Sequence, residues 1–177
     1  MPTDQHAFME AYGKCHGPFV RYCSAVAYGK MDAQDLVQDV LLSAFQKWDS
    51  IEKKDELLHY LVRAARNRAI SVWRMQRRNA EISEKQAARL MERGATAEML
   101  VDVGILYNAL GRLPADQREA VILFEVSGTS MAEIAAIQNC SEGTVKTRVS
   151  RGRAKVREFL DGPKKKEPLH AFKTLML

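Results

Sequence analysis

Cysteine is scarce: Cys15, Cys23 and Cys140 are the only three in 177 residues. Their number is odd and no pair has C-x-x-C spacing, which argues against a disulfide framework. Cys15 stands beside His16, but no further metal ligands accompany them, and packing as small helix residues accounts for the thiols. Histidine is equally sparse, with His6, His16, His59 and His170 scattered along the chain. No phosphate-cradling glycine loop of the P-loop type occurs. A metal-dependent nuclease needs clustered carboxylates or imidazoles, so these absences speak against one. No catalytic residue, no metal and no cofactor is expected. No apolar run is long enough to cross a bilayer, and the N-terminus lacks the basic-then-apolar pattern of a signal peptide. No stable membrane insertion is therefore expected, and the expected location is cytoplasmic. Strand-type alternation is also nearly missing.

What the chain does have is charge in blocks. Its formal net charge is +5. Residues 1–58 carry six basic and nine acidic side chains, a net of −3, whereas residues 59–93 carry nine and three, a net of +6. Residues 94–140 carry two basic and six acidic side chains, a net of −4, and residues 141–177 carry ten and four, a net of +6. Two basic blocks separated by acidic ones suggest two places that hold a polyanion, with other surfaces free for a different partner.

The apolar pattern is helical almost throughout. Phe8, Tyr12, Cys15, Phe19, Tyr22 and Val26 form one face, with a break or kink expected at Gly17-Pro18 because proline fits a first helical turn better than an interior. A second helix opens at Asp32, a good N-cap, and buries Leu36, Val37, Val40, Leu41, Ala44, Phe45 and Trp48. Residues 49–55 read as a loop. A third helix runs from about Glu56 to about Arg78, with Leu58, Leu61, Val62, Ala65, Ala69 and Val72 on one side. The polar stretch after it, with Gly94 inside, reads as a linker. Leu106, Leu110 and Leu113 lead to Pro114, and a helix from Asp116 runs to a turn at Ser127-Gly128. The expected architecture is all-α: two small helical domains joined by a flexible linker, the C-terminal one a helix-turn-helix. The domains are 1–80 and 104–162, with the linker at 81–103 and a basic tail at 163–177.

The strongest local signal lies between Ser130 and Leu160. Ser130-Met131-Ala132-Glu133 is a capping box. The helix it opens stops near Asn139, a residue that tolerates left-handed backbone. Ser141 caps a second helix, in which Val145, Val149, Val156 and Leu160 are expected to face inward. Lys146, Arg148, Arg151, Arg153, Lys155 and Arg157 cover the rest. Two short helices, a tight turn and a basic second helix suit a major groove, with base edges read by the N-terminal half and phosphates gripped by arginines.

The run Ala132-Glu133-Ile134-Ala135, then Ser141-Glu142-Gly143-Thr144-Val145-Lys146-Thr147-Arg148, then Arg151-Gly152-Arg153, resembles the region-4 domain of extracytoplasmic-function (ECF) sigma factors of the sigma-70 family. Leu113-Pro114-Ala115-Asp116-Gln117-Arg118-Glu119 resembles the start of that domain. The resemblance implies recognition of the −35 promoter element by Lys146, Thr147, Ser150, Arg151 and Arg153, with Thr144 and Arg148 close by for phosphates.

A second signature accompanies it. Asp35-Leu36-Val37-Gln38-Asp39-Val40 with Ala44-Phe45-Gln46-Lys47-Trp48 resembles region 2.2, which implies docking on core RNA polymerase. Asp35, Gln38, Asp39 and Leu42 share one helical face that could serve for this. Tyr60-Leu61-Val62-Arg63-Ala64-Ala65-Arg66-Asn67-Arg68-Ala69-Ile70 resembles the helix that opens the −10 element. Its outward positions are Arg63, Arg66, Asn67, Ile70, Arg74 and Arg77, with Trp73 at the border. Opening a duplex calls for cations along the backbone and an aromatic surface for unpaired bases. The loop between these helices departs from the family: Ile51-Glu52-Lys53-Lys54 stands where a phenylalanine and a glycine are usual, and Tyr60 stands where tryptophan is usual. Promoter DNA and core RNA polymerase are thus the implied partners, together with an anti-sigma factor. The alternative reading is a conventional helix-turn-helix transcriptional regulator, which explains the C-terminal motif but not the acidic helix followed by the Arg-rich one.

Overall fold

A computed structural model describes residues 2–76, 94 and 96–162 of the chain. Seven helices follow one another: α1 (Pro2–Ala27), α2 (Ala33–Gln46), α3 (Leu57–Gln76), α4 (Ala97–Gly111), α5 (Ala115–Val121), α6 (Met131–Gln138) and α7 (Glu142–Asp161). Among the described residues there is no strand, so the all-α expectation holds.

Helices α1, α2 and α3 pack on one another as a first lobe. The Asp32 carboxylate caps α2 by accepting from the amides of Gln34 at 2.8 Å and Asp35 at 3.3 Å, which satisfies donors that the first turn leaves orphaned. Leu36, Val40, Ala44 and Trp48 are buried at the expected spacing, and Leu58, Leu61, Val62, Ala65 and Ala69 line the facing side of α3. Phe45 departs from the expected stripe. It is 39% exposed, with only its edge against Phe8, ring centroids 5.4 Å apart. Trp48 occupies the deeper place beside Phe8 at 5.3 Å. Residues 49–55, read as a loop, include parts of two short 3₁₀ turns, Trp48–Ser50 and Lys54–Glu56, and Ile51 between them is buried.

The expected break at Gly17-Pro18 is absent: α1 runs through Pro18 without interruption. Proline disfavours a helical residue before it partly by a clash with that residue's Cβ, and Gly17 has none. The rest of the cost is met by packing, because Cys15, Phe19, Tyr22 and Cys23 on both sides of the proline are buried.

Helices α4 to α7 form the second lobe. Thr96 caps α4 by accepting from the Met99 amide at 3.2 Å, so this helix begins inside the stretch assigned to the linker. Residues 77–93 of that stretch, and the tail 163–177, lie outside the described residues. Helix α5 widens into a π turn over Ile122–Val126, and Gly128 turns the chain with φ +72°. The capping box of α6 is complete: the Glu133 amide donates to Ser130 Oγ at 3.2 Å, and the Ser130 amide donates to the Glu133 carboxylate at 3.0 Å. Asn139 ends α6 in the left-handed region with φ 51°. Ser141 then caps α7 through the Thr144 amide at 3.2 Å.

Val145 and Val149 seat α7 in the lobe, and Val156 is half-buried. Leu160 was expected inward but is 47% exposed, since the last turn of α7 projects beyond the helices that cover its middle. Gly152 marks the closest approach. A Cβ there would lie 2.5 Å from Val121 Cγ2 and 3.5 Å from the Gln117 carbonyl oxygen, so only glycine lets α7 lie this near α5. The lobes meet where α1 touches the π turn and α3 touches α6.

Candidate nucleic-acid interface

The outer face of α7 follows from its buried seam. With Val145 and Val149 inward, helical spacing turns Thr144, Lys146, Thr147, Ser150 and Arg151 to solvent. Thr147 Oγ1 donates to the Gly143 carbonyl at 3.0 Å, which fixes its rotamer. Arg153 also lies on the surface, paired with Glu125 and with its guanidinium 5.4 Å from the Phe124 ring centroid.

Arg148 behaves differently from its neighbours. Its guanidinium donates to Gln138 Oε1 at 2.8 Å and to Asp116 Oδ2 at 2.8 Å, and it touches Cys140 Sγ at 3.4 Å. It therefore ties the start of α7 to α5 and to the turn after α6.

On α2, Asp35, Gln38, Asp39 and Leu42 are all exposed, Leu42 by 60%. They form a solvent-facing strip of carboxylate, amide and apolar surface. Asp39 pairs with Arg68 of α3 at 2.8 Å, each side chain more than half exposed, a geometry worth at most about 1 kcal/mol.

On α3, Asn67 and Ile70 are exposed. Trp73 and Arg74 lie on the helix, but their side chains, and all of Arg77, lie outside the described residues. Arg63 and Arg66 point away from the core of the first lobe, as their positions predict, yet they meet the second lobe. Arg63 donates to the carbonyls of Ala136 at 2.7 Å and Ile137 at 3.2 Å, near the C-terminus of α6. Arg66 reaches both carboxylate oxygens of Glu119 at 3.3 Å.

Four residues at this junction were not singled out as junction residues from the sequence. Arg21 donates to the carbonyls of Val126 at 3.0 Å and Ser127 at 2.8 Å. The Tyr22 hydroxyl donates to Glu119 Oε1 at 3.2 Å, and Gln138 Nε2 donates to Glu119 Oε2 at 3.0 Å. Burial, and then the neighbouring Glu119 charge, hold the Tyr22 phenol well above its ordinary pKa. These partners stand 97 or more residues apart for Tyr22 and Arg21, beyond the reach of any local sequence pattern. The thiols of α1 take no part: burial pushes Cys15 up to about 11 and Cys23 to about 12, so both stay protonated and inert near neutral pH.

The arrangement offers cations and hydrogen-bond donors on two helices and an acidic strip on a third. Among the described residues no three His, Cys, Asp or Glu side chains gather as a metal site would need. Nor is any described helix long and apolar enough to cross a membrane.

Comparison with known proteins gives both lobes a place. Residues 11–79 match the family described as Sigma-70 region 2, and residues 104–156 match Sigma-70, region 4. The chain is 37% identical over 146 residues to the ECF RNA polymerase sigma factor EcfG of Rhodopseudomonas palustris, covering 81% of this chain and 80% of that one. It is 31% identical over 134 residues to the ECF RNA polymerase sigma-E factor of Escherichia coli, covering 69% and 70% of the two chains. Among solved structures, the sigma factor RpoE of Bartonella quintana, crystallised with the anti-sigma factor NepR, superposes with a TM-score of 0.61 at 31% identity, over 89% of this chain and 98% of that one. CnrH, solved with the cytosolic domain of CnrY, gives a TM-score of 0.65 at 25% identity over 89% of each chain. The two matched regions coincide with the acidic and Arg-rich helices of one lobe and the helix-turn-helix of the other, and the chain belongs to the ECF sigma factors of the sigma-70 family, alternative sigma factors that direct transcription.

Proposed function

We propose that this chain docks on core RNA polymerase through the α2 strip Asp35, Gln38, Asp39 and Leu42, and reads promoter DNA with α3 and α7. Sigma factors are transcription-initiation factors. No chemistry of its own is assigned to the chain, and its work is recognition. The observation that carries the reading is the pairing of an exposed basic face on α7 with an acidic strip on α2 in one short chain. A conventional helix-turn-helix regulator accounts for the first but leaves the second, and the region-2 match over residues 11–79, without a purpose.

In this reading Lys146, Thr147, Ser150, Arg151 and Arg153 face the −35 element, with Thr144 at the helix N-terminus placed for a phosphate. Arg148, held by Asp116 and Gln138, sets the angle at which α7 leaves the turn, close to the same phosphates. Arg63, Arg66, Asn67 and Ile70, with Trp73, Arg74 and Arg77, serve the −10 element. Tethering two modest readers to one enzyme raises the effective concentration of each at its own element. An anti-sigma factor, which the titles of the two superposed structures name or parallel for those proteins, is the expected regulator. Its site on this chain is left unassigned. Function in this form places the chain in the cytoplasm, where the polymerase is.

The test is co-elution with core polymerase in gel filtration, beside an Asp35→Lys/Asp39→Lys variant. Native protein is expected to co-elute and the charge-reversed variant to separate. Native protein that stays apart from active core at micromolar concentration, with no inhibitor bound, overturns the proposal.

A further inference from the structure

The junction between the lobes is built from the same side chains that the proposed function assigns to DNA. Arg63 places its guanidinium on the free carbonyls of Ala136 and Ile137 near the C-terminus of α6. Arg21 does the same on Val126 and Ser127 where the π turn ends. Helix C-termini carry partial negative charge and unsatisfied carbonyls, so a cation with several donors is their natural cap. Between these two caps lies Glu119. It is only 9% exposed, and it accepts from Tyr22 and Arg66 of the first lobe and from Gln138 of its own. A buried carboxylate without such partners would be strongly disfavoured, so the three donors and the closed junction require each other. Tyr28 and Tyr107 add a stacked pair across the same junction, centroids 4.2 Å apart.

From this geometry we infer that the free chain is self-masked. Arg21, Tyr22, Arg63 and Arg66 clasp the second lobe through Glu119 and two helix ends, and this clasp must open before α3 can receive DNA. The inference rests on the proposed role of α3 in one respect, that Arg63 and Arg66 are needed for nucleic acid. A guanidinium spent on a carbonyl or on Glu119 cannot hold a phosphate at the same time. The clasp thereby makes DNA binding by α3 and closure of the lobes exclusive states, and a partner that pulls the lobes apart switches the first on. The domain-2 side of the clasp is a carboxylate and backbone carbonyls, which act as an intramolecular substitute for the anionic strand.

The test uses the full chain and an Arg21→Ala/Glu119→Gln variant. Neither position is placed in the DNA or polymerase surfaces. The pair removes one charge of each sign, so the net charge of +5 is kept and any change in DNA affinity is not a bulk electrostatic effect. Two quantities are read: the radius of gyration by small-angle X-ray scattering, and the affinity for a short fluorescein-labelled single-stranded DNA of mixed sequence by anisotropy. The variant is expected to be larger and to bind the strand about tenfold tighter, as when a minor competent form becomes the major one. An unchanged radius with unchanged affinity overturns the clasp. A larger radius with unchanged affinity shows an opened junction that masks nothing, and overturns the inference while leaving the sigma-factor reading intact. Adding Asn67→Ala/Ile70→Ala, two α3 residues outside the clasp, separates the two ideas: if the open form binds the strand just as well without them, the assignment of α3 fails instead. Should the double variant lose helical circular dichroism, Arg21→Ala alone, an exposed side chain bonded only to two carbonyls, must move both readouts the same way by a smaller amount, and no movement overturns the clasp.

Discussion

Gly152 shows how one missing Cβ positions a recognition helix. In a helix interior glycine is disfavoured by about 1 kcal/mol against alanine, yet a Cβ here would sit 2.5 Å from Val121 Cγ2. Overpacking of this kind costs about 1–3 kcal/mol. Gly152→Ala is therefore expected to lower stability by about 1 kcal/mol net in urea denaturation, with α7 displaced from α5. A gain in stability would mean that Val121 turns aside freely. Glu133 is a second single-residue device. The Ser130 hydroxyl and amide hold its carboxylate below the ordinary carboxylate range. The group favours the folded state when ionised, so its contribution is present above about pH 4.3 and is lost as pH falls through the lower folded value. Melting temperatures recorded down through acid pH should fall less steeply in Glu133→Gln, which keeps the reach-back hydrogen bond without titrating. An identical acid profile would show that the box contributes no proton linkage.

At the scale of the element, α1 and α7 each contain a residue that a propensity reading would not choose. Pro18 removes an amide that would otherwise bond the Lys14 carbonyl, at a cost of about 3 kcal/mol in a helix interior. Pro18→Ala restores it while freeing the unfolded chain by less than about 1 kcal/mol. The variant is expected to be more stable by about 2 kcal/mol, readable in thermal or urea unfolding, unless the proline ring itself fills a needed space. Helix α7 divides cleanly by face: valines and Gly152 inward, Lys146, Ser150 and Arg151 outward. Arg151→Ala should thus weaken binding to a cognate −35 duplex by about 1–3 kcal/mol and leave the melting temperature nearly unchanged. A drop in stability equal to the drop in affinity would place Arg151 in the fold rather than at the interface.

Across the whole molecule, the alternating charge blocks acquire a spatial meaning. Arg63 and Arg66 of the first basic block lie against Glu119 and the helix ends of the second lobe, whereas the exposed face of α7 is left open. Tyr22 links this junction to pH. Its phenol is held neutral by burial and by Glu119, and the raised folded pKa means its contribution is complete below about pH 10 and is lost as pH rises further. Tyr22→Phe should remove about 1 kcal/mol at neutral pH, the worth of one buried hydrogen bond. It should also flatten the alkaline limb of a stability profile. An alkaline limb unchanged from the native chain would place that titration elsewhere.

The elements and both interfaces were legible in the residues because their causes are local. Asp32, Ser130 and Ser141 each cap a helix with an amide two or three residues away, Asn139 ends one through its own backbone, and valine spacing alone dictates which side of α7 faces solvent. Two local readings gave way to packing: the break at Pro18, overridden by buried aromatics on both sides, and the burial of Phe45, displaced by Trp48. What only the tertiary structure decided is where Arg21, Tyr22, Arg63 and Arg66 spend their donors. Sequence determines that these arginines leave the core of their own lobe. The partner they find is a carboxylate and two helix ends that lie tens of residues further along the chain. Such a contact is chosen by the shape of two assembled lobes, and no pattern shorter than the fold can encode it.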